Sequence, residues 1–135
     1  MDKFFRPKQV YAVAGASTDA RKFGNKVLKW YVDRELPVTP INYRNETIFG
    51  LPSVADVTKV PIPAGESLAI SIVTPPSVTK QLINDLDKVN GPVKSIWFQP
   101  DTFDAEILEL AKSKVPEVIA DQCILVTGDR HLAKL

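Results

Sequence analysis

The chain reads as an α/β protein: a single Rossmann-like domain, with a five-stranded parallel sheet and helices on both faces. Three observations predict this. Short apolar, β-branched runs alternate with helical patterns of about ten residues. The first run closes on a glycine, Gly15. A length of 135 residues suits one such unit and not two. Hydrophobic residues make up 44% and charged residues 24%, the balance of a globular domain that buries its core without disulfides or metal. Residues 1–135 are therefore read as one domain.

The elements follow in order. The first strand is expected at 10–14, a compact apolar run. Phe23, Val27, Trp30 and Tyr31 then recur at helical spacing until Leu36 and Pro37 stop the helix. The second strand is expected at 38–42, where Pro40 points to a sheet margin or an irregular stretch. Gly50, Pro52, Pro61 and Pro63 break the next segment into turns, with a short helix expected at 53–57. The third strand, 68–73, has the clearest pattern. Thr74, Pro75 and Pro76 open a helix, because proline in a first turn lacks only an amide that has no intrahelical partner. Val78, Leu82, Leu86 and Val89 form its apolar face, and Lys80, Asn84, Asp85 and Lys88 its wet one. Asn90, Gly91 and Pro92 end it. A fourth strand at 95–98, a helix at 104–113 and a fifth strand near 117–120 complete the alternation. The expected strand order is 3-2-1-4-5, with right-handed crossovers. Ligands of such sheets lie beyond the carboxyl ends of the strands, at a switch point expected between the first and fourth.

Charge and cysteine usage narrow the partners. Lys and Arg number 17 against 16 acids, a formal charge of +1. No basic field of the kind that drives nucleic-acid binding is present, so an anion site must be local. The single cysteine, Cys123, excludes an intramolecular disulfide and fits a reducing compartment. No apolar run has membrane-spanning length, and the first eight residues lack a signal-type stretch and lead directly into the first strand. A soluble, cytoplasmic protein without a removable presequence is expected.

The loops at the carboxyl ends carry the candidate binding residues. Gly15 permits a tight turn off the first strand, and small Ala16 and Ser17 allow a ligand close to the backbone. Amides there and at the start of the following helix suit a phosphate. Ser17, Thr18, Asp19, Arg21, Lys22, Phe23 and Gly24 complete this loop, with hydroxyls and basic side chains to add to the amides. The spacing is not G-x-G-x-x-G, and the alternative is a solvated strand-to-helix turn. After the second strand come Asn42, Tyr43 and Arg44. NAD-binding domains usually place an acid here for the ribose 2′-hydroxyl, and an arginine instead favours a phosphorylated ribose. NADP and coenzyme A both carry one; a plain surface arginine is the alternative.

Seven segments in register resemble the small coenzyme A-binding proteins related to the N-terminal domain of the succinyl-CoA ligase α subunit. They are 13–17, 22–25, 38–42, 48–50, 74–76, 96–100 and 121–123, and they cover nearly the whole chain. The resemblance implies a Rossmann-like fold that binds coenzyme A or an acyl-CoA. Carried over by position, Ala16 to Asp19 would line the phosphates and Arg44 would meet the 3′-phosphate. Thr74, Pro75, Pro76, Phe98, Gln99 and Pro100 would flank the nucleotide and the pantetheine. Three positions depart from the family pattern. Tyr43 and Arg44 replace a Pro-Lys pair, Asp101 replaces a glycine, and Gln122 replaces a residue that is commonly basic.

No complete catalytic apparatus is legible. The ligase's phosphorylated histidine has no counterpart. The only histidine, His131, is expected to be a solvated side chain near the C-terminus. Ser17 lacks a nucleophile elbow, and one Cys and one His cannot build a metal cluster. Cys123 is read as a buried structural thiol, with a mixed disulfide to the CoA thiol as the sharper alternative. The expected function is a stand-alone, non-catalytic CoA module acting as carrier, sensor or accessory subunit. The rival readings are an NAD(P)-binding redox module and a ligand-free interaction domain. A homodimer or an unidentified protein partner stays open, with Trp30, Tyr31 and Trp97 as candidates for the face if they are not core.

Overall fold

The computed structural model describes residues 4–135. Five strands form one parallel sheet: β1 (Gln9–Ala14), β2 (Val38–Ile41), β5 (Ser67–Ile72), β6 (Val93–Phe98) and β7 (Glu117–Ile119). A two-stranded antiparallel hairpin, β3 (Thr47–Ile48) and β4 (Leu51–Pro52), lies between β2 and β5 in the chain. Four α-helices complete the described residues: α1 (Phe23–Asp33), α2 (Pro76–Asp85), α3 (Ala105–Lys114) and α4 (Ile124–Leu132).

The α/β class and the parallel five-stranded sheet are as the sequence predicts, but the strand order is not. The observed order is β2-β1-β5-β6-β7, or 2-1-3-4-5 in place of 3-2-1-4-5. The third strand of the sheet crosses back to pair with β1, and the switch point falls between β1 and β5, not between the first and fourth strands. Two features of the chain account for this. All six residues of β5 are buried, which an interior strand provides and an edge strand does not. Pro40 in β2 has no N–H to contribute to a second ladder. It sits opposite Val13, and its carbonyl faces outward to accept the Val54 N–H at 3.0 Å. A strand that pairs fully on one side belongs at the margin, which is where β2 lies.

Successive residues of the strands feed two cores, as the two-residue period of a strand requires. Ala12 and Ala14 of β1 join Ile70, Ile72, Ile96 and Phe98 beneath α2 and α3. Tyr11 and Val13 join Ala69 and Trp97 beneath α1 and α4. Trp30, Tyr31 and Trp97 lie in this second core, at most 5% exposed, so they form no dimer face. Phe23 departs from the predicted apolar face of α1 and is 56% exposed, because it is the first residue of the helix and precedes the sheet-facing turn.

Two further expectations are corrected. The short helix expected at 53–57 is displaced and overlaps that stretch only at Val57. It is a single 3-10 turn at Val57–Lys59, started by Asp56, which accepts the Thr58 N–H at 2.8 Å. His131 is half-buried and not freely solvated: α4 brings it against Trp97 of β6. Its ring meets Trp97 edge-on at 5.0 Å, and its Nε2 lies 2.8 Å from Gln122 Oε1. No helix among the described residues is long and apolar enough to cross a membrane.

Candidate functional site

The loops after β1, β2 and β5 meet at the switch point. Gly15 takes φ +88°, and a Cβ there would stand 3.1 Å from Thr74 Cγ2, so this turn lies directly against the start of the β5 loop. The first turn of α1 presses on the same turn. A Cβ at Gly24 would fall 1.9 Å from the Gly15 carbonyl oxygen. That close helix-to-strand approach is a role that glycine fills in nucleotide-binding turns.

Two asparagines hold the loop between these glycines. Asn42 Nδ2 donates to the Ala16 carbonyl at 3.0 Å, and Asn25 Nδ2 donates to the Ser17 carbonyl at 2.9 Å. Ser17 Oγ accepts the Asp19 N–H at 3.0 Å and keeps its own proton for another partner. The Asp19 carboxylate receives the Arg21 N–H, Nε and Nη2 at 2.9–3.0 Å, and this pairing holds its pKa below the ordinary carboxylate value. The Asp19 side chain thus serves Arg21, and the charge of Arg21 is largely matched within the loop. Lys22 and Thr18 are exposed. Lys22 makes no ion pair among the described residues.

Beside this loop, Asn42 Oδ1 accepts the Arg44 N–H at 2.7 Å. The Arg44 guanidinium lies over the Tyr43 ring, 5.4 Å from its centroid, with Nε donating to Tyr43 Oη at 3.1 Å. Tyr43 is itself 76% exposed. On the other side of the switch point, Thr74 is buried and its hydroxyl lies 2.7 Å from that of Thr79. Pro75 and Pro76 stand exposed at the head of α2.

The β6 loop is organised differently. Phe98 and Gln99 are buried. Gln99 Oε1 accepts the Ile124 N–H at 2.8 Å, and its Nε2 donates to Cys123 Sγ at 3.1 Å. The Gln99 side chain therefore caps α4, and Cys123 is half-buried at that cap. Pro100 is exposed, and Asp101 takes φ +69°, the left-handed conformation that suits the glycine it replaces. The sequence-predicted residues of the β1, β2 and β5 loops come together. Phe98, Gln99 and Pro100 belong to the neighbouring loop, one strand further along the sheet.

Asn25 stood in a matched segment but was not among the predicted binding residues. It is buried and lies three residues before Leu28, on the inward face of α1. A polar residue at an inward helical position was the available signal. Two surface grooves lie elsewhere. One, of about 370 Å³, is bounded by Leu36, Phe49 and Leu51. The other, of about 400 Å³, is bounded by Arg6, Lys8 and Lys94 at the amino ends of the strands.

A parallel sheet of this order, with glycine-tight turns at its switch point, defines a doubly wound, Rossmann-like α/β protein. The chain belongs to the CoA binding domain family, whose sequence profile matches residues 9–129. It is similar to a conserved hypothetical protein of Pyrococcus furiosus, with 29% identity and a TM-score of 0.75, covering 87% of this chain and 97% of that one. A hypothetical protein of Pyrococcus horikoshii OT3 shares 22% identity and the fold, with a TM-score of 0.78 over 93% of this chain and 85% of its own. A Thermus thermophilus protein, also 22% identical, superposes with a TM-score of 0.75 over 92% of this chain and 90% of its own. No curated protein matches the chain.

Proposed function

We propose that the protein binds coenzyme A or an acyl-CoA in the crevice between the β1 and β5 loops, as a stand-alone module without catalytic chemistry of its own. Membership of the CoA binding domain family supports coenzyme A binding in general. The observation that carries the placement is the state of the helix N-termini. The first amides of a helix need outside partners. At α3, Asp104 accepts the Ile107 N–H at 2.8 Å, and Glu106 adds negative charge. At α4, Gln99 accepts the Ile124 N–H. The two helices that flank the switch point differ. Neither α1 nor α2 has a side-chain cap or an acid in its first turn. The amides of Phe23, Gly24 and Ser77 have no hydrogen-bond partner among the described residues. Positive dipole ends left open on both sides of one crevice favour an anion there.

In this reading the Gly15 to Gly24 loop takes the phosphates through backbone amides, with Ser17, Thr18 and Lys22 adding side-chain donors. Arg44 takes the 3′-phosphate, and Thr74, Pro75 and Pro76 wall the other side. Phe98, Gln99 and Pro100 border the pantetheine path. Asp19 and Gln99 contribute backbone and support, since their side chains are engaged inside the protein. Cytoplasmic residence belongs to the same proposal.

The test is a calorimetric titration with CoA, acetyl-CoA, NAD and NADP in parallel. Saturable binding of the CoA ligands with no response to the nicotinamides is the expected result. Binding of NADP without CoA would replace this reading with a redox one, and no response to any of the four would remove a nucleotide ligand altogether.

A further inference from the structure

We propose that Asn25 is a positioning residue that presets the loop amides for a diphosphate group, a role that rests on the crevice being the anion site proposed above. The argument is one of peptide geometry. In a trans peptide the carbonyl and the following N–H point to opposite sides of the chain, and the described residues include no cis bond. Asn42 draws the Ala16 carbonyl towards itself at 3.0 Å, and Asn25 draws the Ser17 carbonyl at 2.9 Å. The next amides, Ser17 N–H and Thr18 N–H, are thereby turned away from the two asparagines. Neither has a hydrogen-bond partner among the described residues, whereas the Ala16 and Asp19 amides on either side are both engaged. Two consecutive unpartnered amides beside a helix N-terminus are donors that an anion would take.

The cost of holding such a peptide pair falls on the asparagines. Asn25 is only 7% exposed, and a buried amide is retained where its hydrogen bond is needed. Its place in α1 is set by Gly24, which lets the first turn reach the Gly15 carbonyl. Asn42 also serves Arg44 and Glu46, so Asn25 is the cleaner probe.

The test is a titration of the ¹⁵N-labelled protein with inorganic pyrophosphate and, separately, with CoA, following the amide signals. In the unaltered protein, the Ser17 and Thr18 amides shift downfield and saturate with both ligands. In Asn25→Ala, affinity for both falls about tenfold, the size of one hydrogen bond's effect on an anion-binding group. In Asn25→Asp, the ionised carboxylate cannot donate to the Ser17 carbonyl, so affinity falls at neutral pH. It recovers in part as the pH is lowered and the carboxyl regains a proton, a rescue that loss of packing would not show. Asn25→Asp, nearly isosteric, also replaces Asn25→Ala if the latter fails to fold. Ser17 and Thr18 amides that stay in place under saturating pyrophosphate and CoA would overturn the proposal. So would a folded Asn25 variant that binds pyrophosphate as tightly as the unaltered protein at neutral pH. Pyrophosphate moving these amides while CoA does not would remove the CoA reading and leave the role of Asn25 intact.

Discussion

In the proposed binding mode, Arg44 is the residue on which ligand identity turns. Its side chain is exposed, yet it is not loose. The Tyr43 ring lies beneath the guanidinium, and Asn42 fixes its backbone. A guanidinium held in this way presents a planar fork to a phosphate at low entropic cost. Arg44→Glu is expected to weaken CoA binding by about ten- to a hundredfold, and dephospho-CoA binding by only about threefold, since at surface ionic strength a charge acts mainly on its direct contact. Parallel calorimetric titrations check this, and equal losses for both ligands would sink the assignment. The candidacy of Arg44 comes from its place after the second strand; a link between Asn25 and the loop had no such signal. The partner of Asn25 is a carbonyl eight residues earlier in the chain, and no spacing rule links a side chain to a backbone atom in a loop. The mutual pairing of Asp19 and Arg21 was hidden for a similar reason. Both types suit a ligand-binding loop, and only the conformation shows that they satisfy each other.

Among the elements, α4 was the least legible. Its segment carries Gly128 in mid-helix, and an isolated glycine weakens a helical pattern. Packing explains the glycine, since a Cβ there would lie 2.5 Å from the Trp30 ring. The helix is held at its start by Gln99, at its middle by this contact and at its far end by Arg34, whose guanidinium reaches Asp129 at 2.5 Å and 2.9 Å. Gln99→Ala leaves the Ile124 amide without its acceptor and removes a donor from Cys123, at a cost of about 1–3 kcal/mol. The loss should appear as local opening. Amides of α4 should exchange at least about tenfold faster, while those of β1 and β5 keep their rates, as hydrogen exchange with mass spectrometry would reveal. Uniformly faster exchange across the sheet would show that Gln99 supports the whole fold and not α4 alone.

The whole molecule carries two tyrosines in its second core, Tyr11 and Tyr31, and their burial predicts a loss of stability at alkaline pH. Tyr31 is fully buried with its hydroxyl 2.7 Å from Ser71 Oγ, and burial raises its pKa above the ordinary 10.0. Burial raises Tyr11 as well. Below pH 10 both groups are protonated in the folded and unfolded chains, so their full contribution to stability is present. Above it the unfolded chain releases protons that the folded one retains, and stability falls by about 1.4 kcal/mol per pH unit for each such group. Denaturant unfolding measured from pH 8 to 11 should therefore show a loss that begins near pH 10. Tyr31→Phe should make that loss shallower, while lowering stability at neutral pH by about 1–3 kcal/mol, because it strands the buried Ser71 hydroxyl. An unchanged slope in Tyr31→Phe would place the alkaline sensitivity elsewhere.

Local pattern was enough to determine the α/β class, the places of the five sheet strands and the candidate loops, because apolar periodicity and chain-breaking residues act over a few neighbours. It also pointed Pro40 to a sheet margin, where β2 lies, although the expected order 3-2-1-4-5 placed that strand inside the sheet. The strand order, the switch point between β1 and β5, the packing of His131 and the tying of the Ala16 and Ser17 carbonyls were decided only by the tertiary structure. Each of these depends on which distant backbone or side-chain groups meet once the core is buried, and short-range propensity is blind to such meetings. β5 takes the centre of the sheet because both of its faces and both of its edges must be covered at once, a condition that exists only when every other element is in place.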